Sequence, residues 1–224
     1  MVTFDFPGQG RSRFLKDQSG LGFDEQVEIV GRVAAGTGAQ PGAVFGASWG
    51  SLIAAGYAAR HSAAVTRLVL AGFAMRPTPL LKFMISHGQA LCRDASSHRL
   101  SALLIDHIGQ WLPEAMKKMI ETQFQAITPA QVAAFVEHSK LVDAIGDVRD
   151  IVDFGAITAE TLVINGERDG LVAPSDADLA RAALARCVTQ TVPSTGHFLH
   201  LENPAVLEDY RRFLVAPAAE LTCA

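Results

Sequence analysis

Short apolar runs alternate along the chain with stretches whose apolar residues recur at helical spacing. Val2-Thr3-Phe4, Ala43-Val44-Phe45, Arg67 to Gly72, Thr161-Leu162-Val163-Ile164-Asn165 and Val188 to Val192 read as strands. Between them, Asp24 to Ala35 carries Val27, Val30, Val33 and Ala34 on one helical face. Leu52 to Ala59 reads as a helix of small residues, and Ser175 to Ala185 as another. Asn203 and Pro204 supply an N-cap and first position for a last helix running to about Leu214. Strand and helix alternating at these lengths predict a mostly parallel sheet with helices on both faces. Ala43 to Phe45 is expected to lie buried within it.

From Phe73 to Asp153 the strand pattern disappears. Leu100, Leu103, Leu104 and Ile108 fall at helical spacing, as do Met116, Met119, Ile120, Phe124 and Ile127 behind Pro113. Thr128-Pro129-Ala130-Gln131 is a capping box with proline at the first position. The chain therefore divides into residues 1–72, the first part of an α/β core; residues 73–153, a helical cap insertion; and residues 154–224, the second part of the core.

Composition narrows the class. With 224 residues, 49 % of them hydrophobic, the chain suits one well-cored domain. A formal charge of -4 gives no electrostatic footprint for nucleic acid. No apolar run is long enough for a membrane span. The three cysteines, Cys92, Cys187 and Cys223, lack metal-ligand spacing and fit a reducing, cytoplasmic setting better than a disulfide framework. No cofactor or metal site is expected.

The chemistry concentrates at Gly46-Ala47-Ser48-Trp49-Gly50, between the strand ending at Phe45 and the helix from Leu52. A serine on a sharp strand-to-helix turn exposes its hydroxyl, and glycines on either side relieve the crowding. The helix N-terminus beside Ser48 favours negative charge. Asp169 lies in the turn after one later strand and His197 in the turn after the next. All three can converge at the carboxyl edge of a parallel sheet, in the order Ser, Asp, His. In that arrangement His197 serves as general base, and Asp169 fixes its tautomer. Glu167 and His200 compete for these roles, and the Gly-x-x-Asp and Gly-His turns favour Asp169 and His197.

These residues, with the loop Asp5-Phe6-Pro7-Gly8-Gln9-Gly10-Arg11-Ser12, resemble the α/β-hydrolase superfamily. Ala47 to Gly50, Leu103 to Pro113, Ile164-Asn165-Gly166 and Gly196-His197-Phe198-Leu199 with Leu201-Glu202 are similar to the β-hydroxyacyl-ACP O-acyltransferases that make the lipid half of rhamnolipids. His200 stands where that pattern has an aspartate. The superfamily places about three strands before the Asp-x-Pro-Gly loop; a loop among them gives one oxyanion-hole N–H, and the residue after the nucleophile, here Trp49, would give the other. By that resemblance the chain is expected to be a fragment of a longer reading frame.

The resemblance implies an acyl-enzyme formed at Ser48 from an acyl thioester or ester carried on acyl carrier protein or CoA. The acceptor would be the hydroxyl of another β-hydroxyacyl chain. The alternatives are a carboxylesterase that uses water and a truncated, non-catalytic acyl-binding relative. Met84, Met116, Met119 and Phe124 are expected to line an acyl pocket. Lys82, Arg93, Arg99, Lys117 and Lys118 give the cap a scattered positive charge that could receive an acidic carrier.

Overall fold

A computed structural model of the chain describes residues 1–14, 20–38 and 42–215. Ala39 to Pro41, expected to break the chain before Ser48, and Cys223 lie outside the described residues. The element order is α1 (Phe23–Gly36), β1 (Ala43–Ala47), α2 (Trp49–Arg60), β2 (Arg67–Ala71), α3 (Pro79–Arg93), α4 (Leu100–His107), α5 (Glu114–Gln125), α6 (Pro129–Asp143), β3 (Glu160–Gly166), α7 (Asp176–Ala183), β4 (Cys187–Val192), α8 (Leu199–Glu202) and α9 (Val206–Val215).

The strands form one parallel sheet in the order β1-β2-β3-β4. β2 reads as a continuous apolar run because helices cover both its faces, which leaves no solvent side to mark with polar residues. In β2, Leu68 and Leu70 enter the core formed with Val27, Leu52 and Ile53 of α1 and α2. Val69 and Ala71 enter the opposite core with Val206, Tyr210 and Phe213 of α9. The period-two alternation thus divides one strand between two helical layers.

Between β2 and β3 no strand forms; α3 to α6 fill that interval, which fits the loss of strand pattern there. α3 and α6 open alike, each with a threonine capping a backbone N–H and a proline at the first turn. Leu91, Leu100 and Leu103 make a small apolar cluster among these helices. Pro113 stands at the N-cap of α5, just outside the first position.

Three expectations fail. Val2-Thr3-Phe4 forms no strand, because no neighbouring strand takes its hydrogen bonds. β1 is not buried: it pairs with β2 alone at the sheet edge, and Phe45 remains 44 % exposed. The Phe45 ring still leans edge-on against Tyr210 of α9. The last helix starts at Val206 rather than Pro204, residues 204 and 205 forming a turn after the short α8, while Asn203 accepts the Ala205 N–H as the expected N-cap does.

Glycines end β3 and interrupt β1 where other backbone must pass. A Cβ on Gly166 would sit 2.2 Å from the Gly196 carbonyl oxygen and 2.3 Å from that of Thr195. The loop after β4 therefore lies directly over the end of β3. Gly166→Ala is expected to push this loop away, at a cost of about 2–3 kcal/mol by overpacking. For a chain of this length the melting temperature should fall by roughly 4–12 °C, which thermal unfolding by circular dichroism would measure.

Candidate active site

The turn between β1 and α2 is tight. Ser48 has φ 51° and ψ -126°, a backbone region that non-glycine residues enter only under constraint. Two features hold it there. The Ser48 N–H donates to the Ala71 carbonyl at 2.8 Å, which ties the turn to the end of β2. A Cβ on Gly46 would fall 2.1 Å from the Gly50 carbonyl oxygen, so only glycine lets the helix start fold back this closely. The second glycine behaves differently: a Cβ on Gly50 would meet no atom within 4 Å.

The structure brings Ser48, His197 and Asp169 into one hydrogen-bonded chain. His197 Nε2 lies 2.8 Å from Ser48 Oγ, and His197 Nδ1 lies 2.8 Å from Asp169 Oδ2. A carboxylate only accepts, so Nδ1 carries the imidazole proton and Nε2 is left to accept from the serine hydroxyl. The Asp169 side chain is wholly buried, and its Oδ1 accepts the Leu171 N–H at 2.9 Å. Both carboxylate oxygens are therefore occupied and aimed.

His197 is held from several sides. Glu202 accepts the N–H groups of Gly196 at 2.5 Å and Phe198 at 3.0 Å, the residues on either side of His197. Gly72 at the end of β2 has φ 59°, and a Cβ there would lie 3.2 Å from the imidazole Cε1. Asn165 of β3 accepts the Phe73 N–H at 2.7 Å and donates to the Phe73 carbonyl at 3.2 Å, fixing the chain beside Gly72. The competitors stand elsewhere. Glu167 is exposed and accepts the Ser194 N–H, and His200 packs near Phe45 and Tyr210.

Ser48 opens into a cavity of about 290 Å³ between the sheet edge and α3 to α6. Its walls are mainly apolar, with Leu81, Met84, Leu103, Phe124 and Phe135 prominent. Met116 and Met119 do not line it. No residue of α5 is buried, and Met119 is 48 % exposed, so α5 covers the cavity from outside and reaches in through Phe124. Trp49 borders the cavity, and its indole Nε1 donates to Gln26 of α1 at 2.8 Å. The Asp5 to Ser12 loop forms tight turns of its own, and none of its residues lines this cavity. Among the described residues no cluster of three His, Cys, Asp or Glu side chains could hold a metal ion. No described helix is long and apolar enough to cross a membrane.

Gln26, Asn165 and Glu202 carry no sequence signal for these contacts, since each acts through a partner far away or through a loop it does not belong to. Only the position of Glu202 soon after the Gly-His turn could have drawn attention to it.

Residues 1–210 match the model of the alpha/beta hydrolase family. The chain belongs to that family. A relative within reach is the (R)-3-hydroxydecanoyl-ACP:CoA transacylase of Pseudomonas putida, 23 % identical over 218 residues, which are 96 % of this chain and 72 % of that protein. Among solved structures, an alpha/beta hydrolase enzyme from a Medee basin deep-sea metagenome library superposes with TM-score 0.77 at 21 % identity, over 93 % of this chain and 76 % of the other. An esterase from Exiguobacterium antarcticum superposes with TM-score 0.74 at 19 % identity, over 95 % and 80 %. The parallel sheet with helices on both faces is thus the alpha/beta hydrolase fold.

The dependence of this alpha/beta hydrolase site on Asn165 can be measured. Asn165→Leu leaves the buried Phe73 N–H without a partner, a loss of about 1–3 kcal/mol. Urea unfolding should show a lower midpoint with an unchanged slope.

Proposed function

We propose that this protein is a serine acyl-transfer enzyme whose nucleophile is Ser48, general base His197 and orienting carboxylate Asp169. The observation that carries this reading is the Ser48–His197–Asp169 hydrogen-bonded chain opening into an apolar cavity. As Ser48 Oγ bonds to the acyl carbonyl carbon, its proton passes to His197 Nε2. The imidazolium so formed is stabilised by Asp169. The carbonyl oxygen becomes an oxyanion, to which the Trp49 N–H at the start of α2 donates. The carbonyl then re-forms, the thiol or alcohol leaves with the proton from His197, and an acyl-enzyme remains. An acceptor hydroxyl reverses these steps, giving its own proton to His197.

In this reading residues 73–153 act as a cap on a core made of residues 1–72 and 154–224. The substrate is a β-hydroxyacyl thioester on acyl carrier protein or CoA, and the acceptor is the hydroxyl of another β-hydroxyacyl chain. The likeness to the Pseudomonas putida transacylase supports the acyl class. The setting is cytoplasmic, in keeping with the free thiols of Cys92 and Cys187.

A second reading, hydrolysis, is favoured by the exposure of Ser48 to solvent and by the likeness to an esterase. Water is far more concentrated than any alcohol, so transfer prevails only where the acceptor is held close to His197, with effective molarity of ~10⁵ M or more. A third reading, acyl binding without turnover, follows if one oxyanion donor is too few; losing a donor costs about 10²–10³ in rate.

The test is to offer a β-hydroxyacyl thioester and identify products by mass. Transfer gives an ester-linked dimer, and Ser48→Ala lowers its rate at least ~10⁴-fold. Free β-hydroxy acid alone, even at high substrate, would establish hydrolysis. No product, with Ser48→Ala indistinguishable from the parent, would leave only acyl binding.

A further inference from the structure

The cavity wall contains one polar side chain that the proposed chemistry does not use. His138 on α6 borders the same cavity as Ser48. Its ring meets the Trp49 indole edge-on, with centroids 4.8 Å apart and planes at 89°. Trp49 directly follows the nucleophile, so this ring contact ties His138 to the reacting end of the cavity.

The other polar side chains in the wall are already committed. The Ser51 hydroxyl donates to the Ser48 carbonyl. The Ser139 hydroxyl donates to the Val136 carbonyl at 2.8 Å and accepts from Gln89 at 3.0 Å. The Trp49 indole N–H is taken by Gln26, and Arg76 is paired with Asp147 at 2.7 Å. Ser48 and His197 bond to each other. Neither ring nitrogen of His138 has a hydrogen-bond partner among the described residues, and neither is fully enclosed by protein, the residue bordering both this cavity and a smaller one beside Gln26 and Gln131.

We propose that His138 determines specificity for a hydroxyl group on the acyl chain close to its carbonyl, by hydrogen bonding that hydroxyl within the cavity. The inference rests on the acyl-transfer reading of Ser48 and deepens it. The chemistry of the ring decides the kind of substituent. Burial lowers the His138 pKa from its ordinary value, so the imidazole is neutral near pH 7. A neutral imidazole has one donor and one acceptor, and a hydroxyl can answer either. A carboxylate would answer only the donor, and an ammonium only the acceptor; each would also lose its hydration among apolar walls. The place of the ring decides the position. The ring packs on the residue that follows Ser48 and borders the same cavity, so the proposed contact is with the first carbons after the carbonyl rather than the tail. An unsubstituted chain would cover the imidazole and leave both nitrogens without partners, so the preference for the hydroxylated chain should be about 10- to 100-fold.

The experiment compares 3-hydroxydecanoyl and decanoyl thioesters of one carrier, read as kcat/KM. The parent should favour the hydroxylated chain by about 10- to 100-fold, and His138→Phe, which keeps a ring against Trp49, should bring the ratio near one. Part of that change should be a rise on the decanoyl thioester, since the variant has no ring nitrogen for the unsubstituted chain to strip of partners. An unchanged ratio in His138→Phe, or an equal loss on both substrates, would overturn the proposal, because a purely structural ring moves both together. Binding separates this outcome from failure of the acyl-transfer reading. Calorimetry on Ser48→Ala with 3-hydroxydecanoic and decanoic acids needs no turnover. A preference for the hydroxy acid that His138→Phe abolishes supports the inference even if no thioester reacts. Equal affinity of Ser48→Ala for the two acids would overturn it.

Discussion

The site depends on one crossing. β1 and β4 occupy opposite edges of the four-stranded sheet, about 14 Å apart at ordinary strand spacing. Ser48 follows β1 and His197 follows β4, yet their side chains meet at 2.8 Å. The loop after β4 must therefore travel back across the ends of β3 and β2. At the end of β3 it passes over Gly166 close enough to exclude any side chain. Past the end of β2 it sets the imidazole against Gly72, again with no room for a substituent that does not shift its neighbour. The Arg168 N–H bonds the Thr195 carbonyl at 2.8 Å, so the path is pinned where Asp169 also enters. The glycines thus serve the passage of other backbone and of the imidazole more than any flexibility of their own.

A second dependence runs through Trp49. Its backbone stands at the first position of α2, its indole N–H is held by α1 through Gln26, and its ring face meets α6 through His138. One residue thus joins the turn that carries Ser48 to the helical layer above it. The gain is a shaped, mainly apolar wall beside Ser48, against which a dipole or donor acts more strongly than in bulk water. The same low dielectric makes each unpaired polar atom there costly, which is why nearly all of them are committed within the protein.

The fold was legible where signals are local. Apolar runs, turn glycines and the cap at Thr128 are written within a few residues, and the helix behind Thr128 formed where that cap places it. Ser48, Asp169 and His197 could be named because each sits in a turn after a readable strand. What was not legible depends on neighbours. Val2 to Phe4 has a strand's composition, but a strand exists only when another takes its hydrogen bonds. Phe45 looks like core and is exposed, because burial is decided by what stands beside β1. Met116 and Met119 share helical spacing with Phe124, but spacing does not say which face of α5 meets the cavity. Gln26, Asn165 and Glu202 act by pairing across the fold, and no local pattern announces that.

The crossing also bears on how the chain acquires its shape. Ser48 and His197 are 149 positions apart, and Asn165 reaches Phe73 across 92. Contacts of such separation are slow to gather, since the chain entropy of closing large loops is lost before the contacts compensate for it. Helices α3 to α6 lie inside the first of these loops and can form from local contacts earlier. Ser48 and His197 can thus be joined only once β3 and β4 have docked in register and the last loop has settled over Gly166. Helical signal should return first during refolding, with the Ser48–His197 pair assembled in the closing step, so that this one contact reports completion of the described sheet.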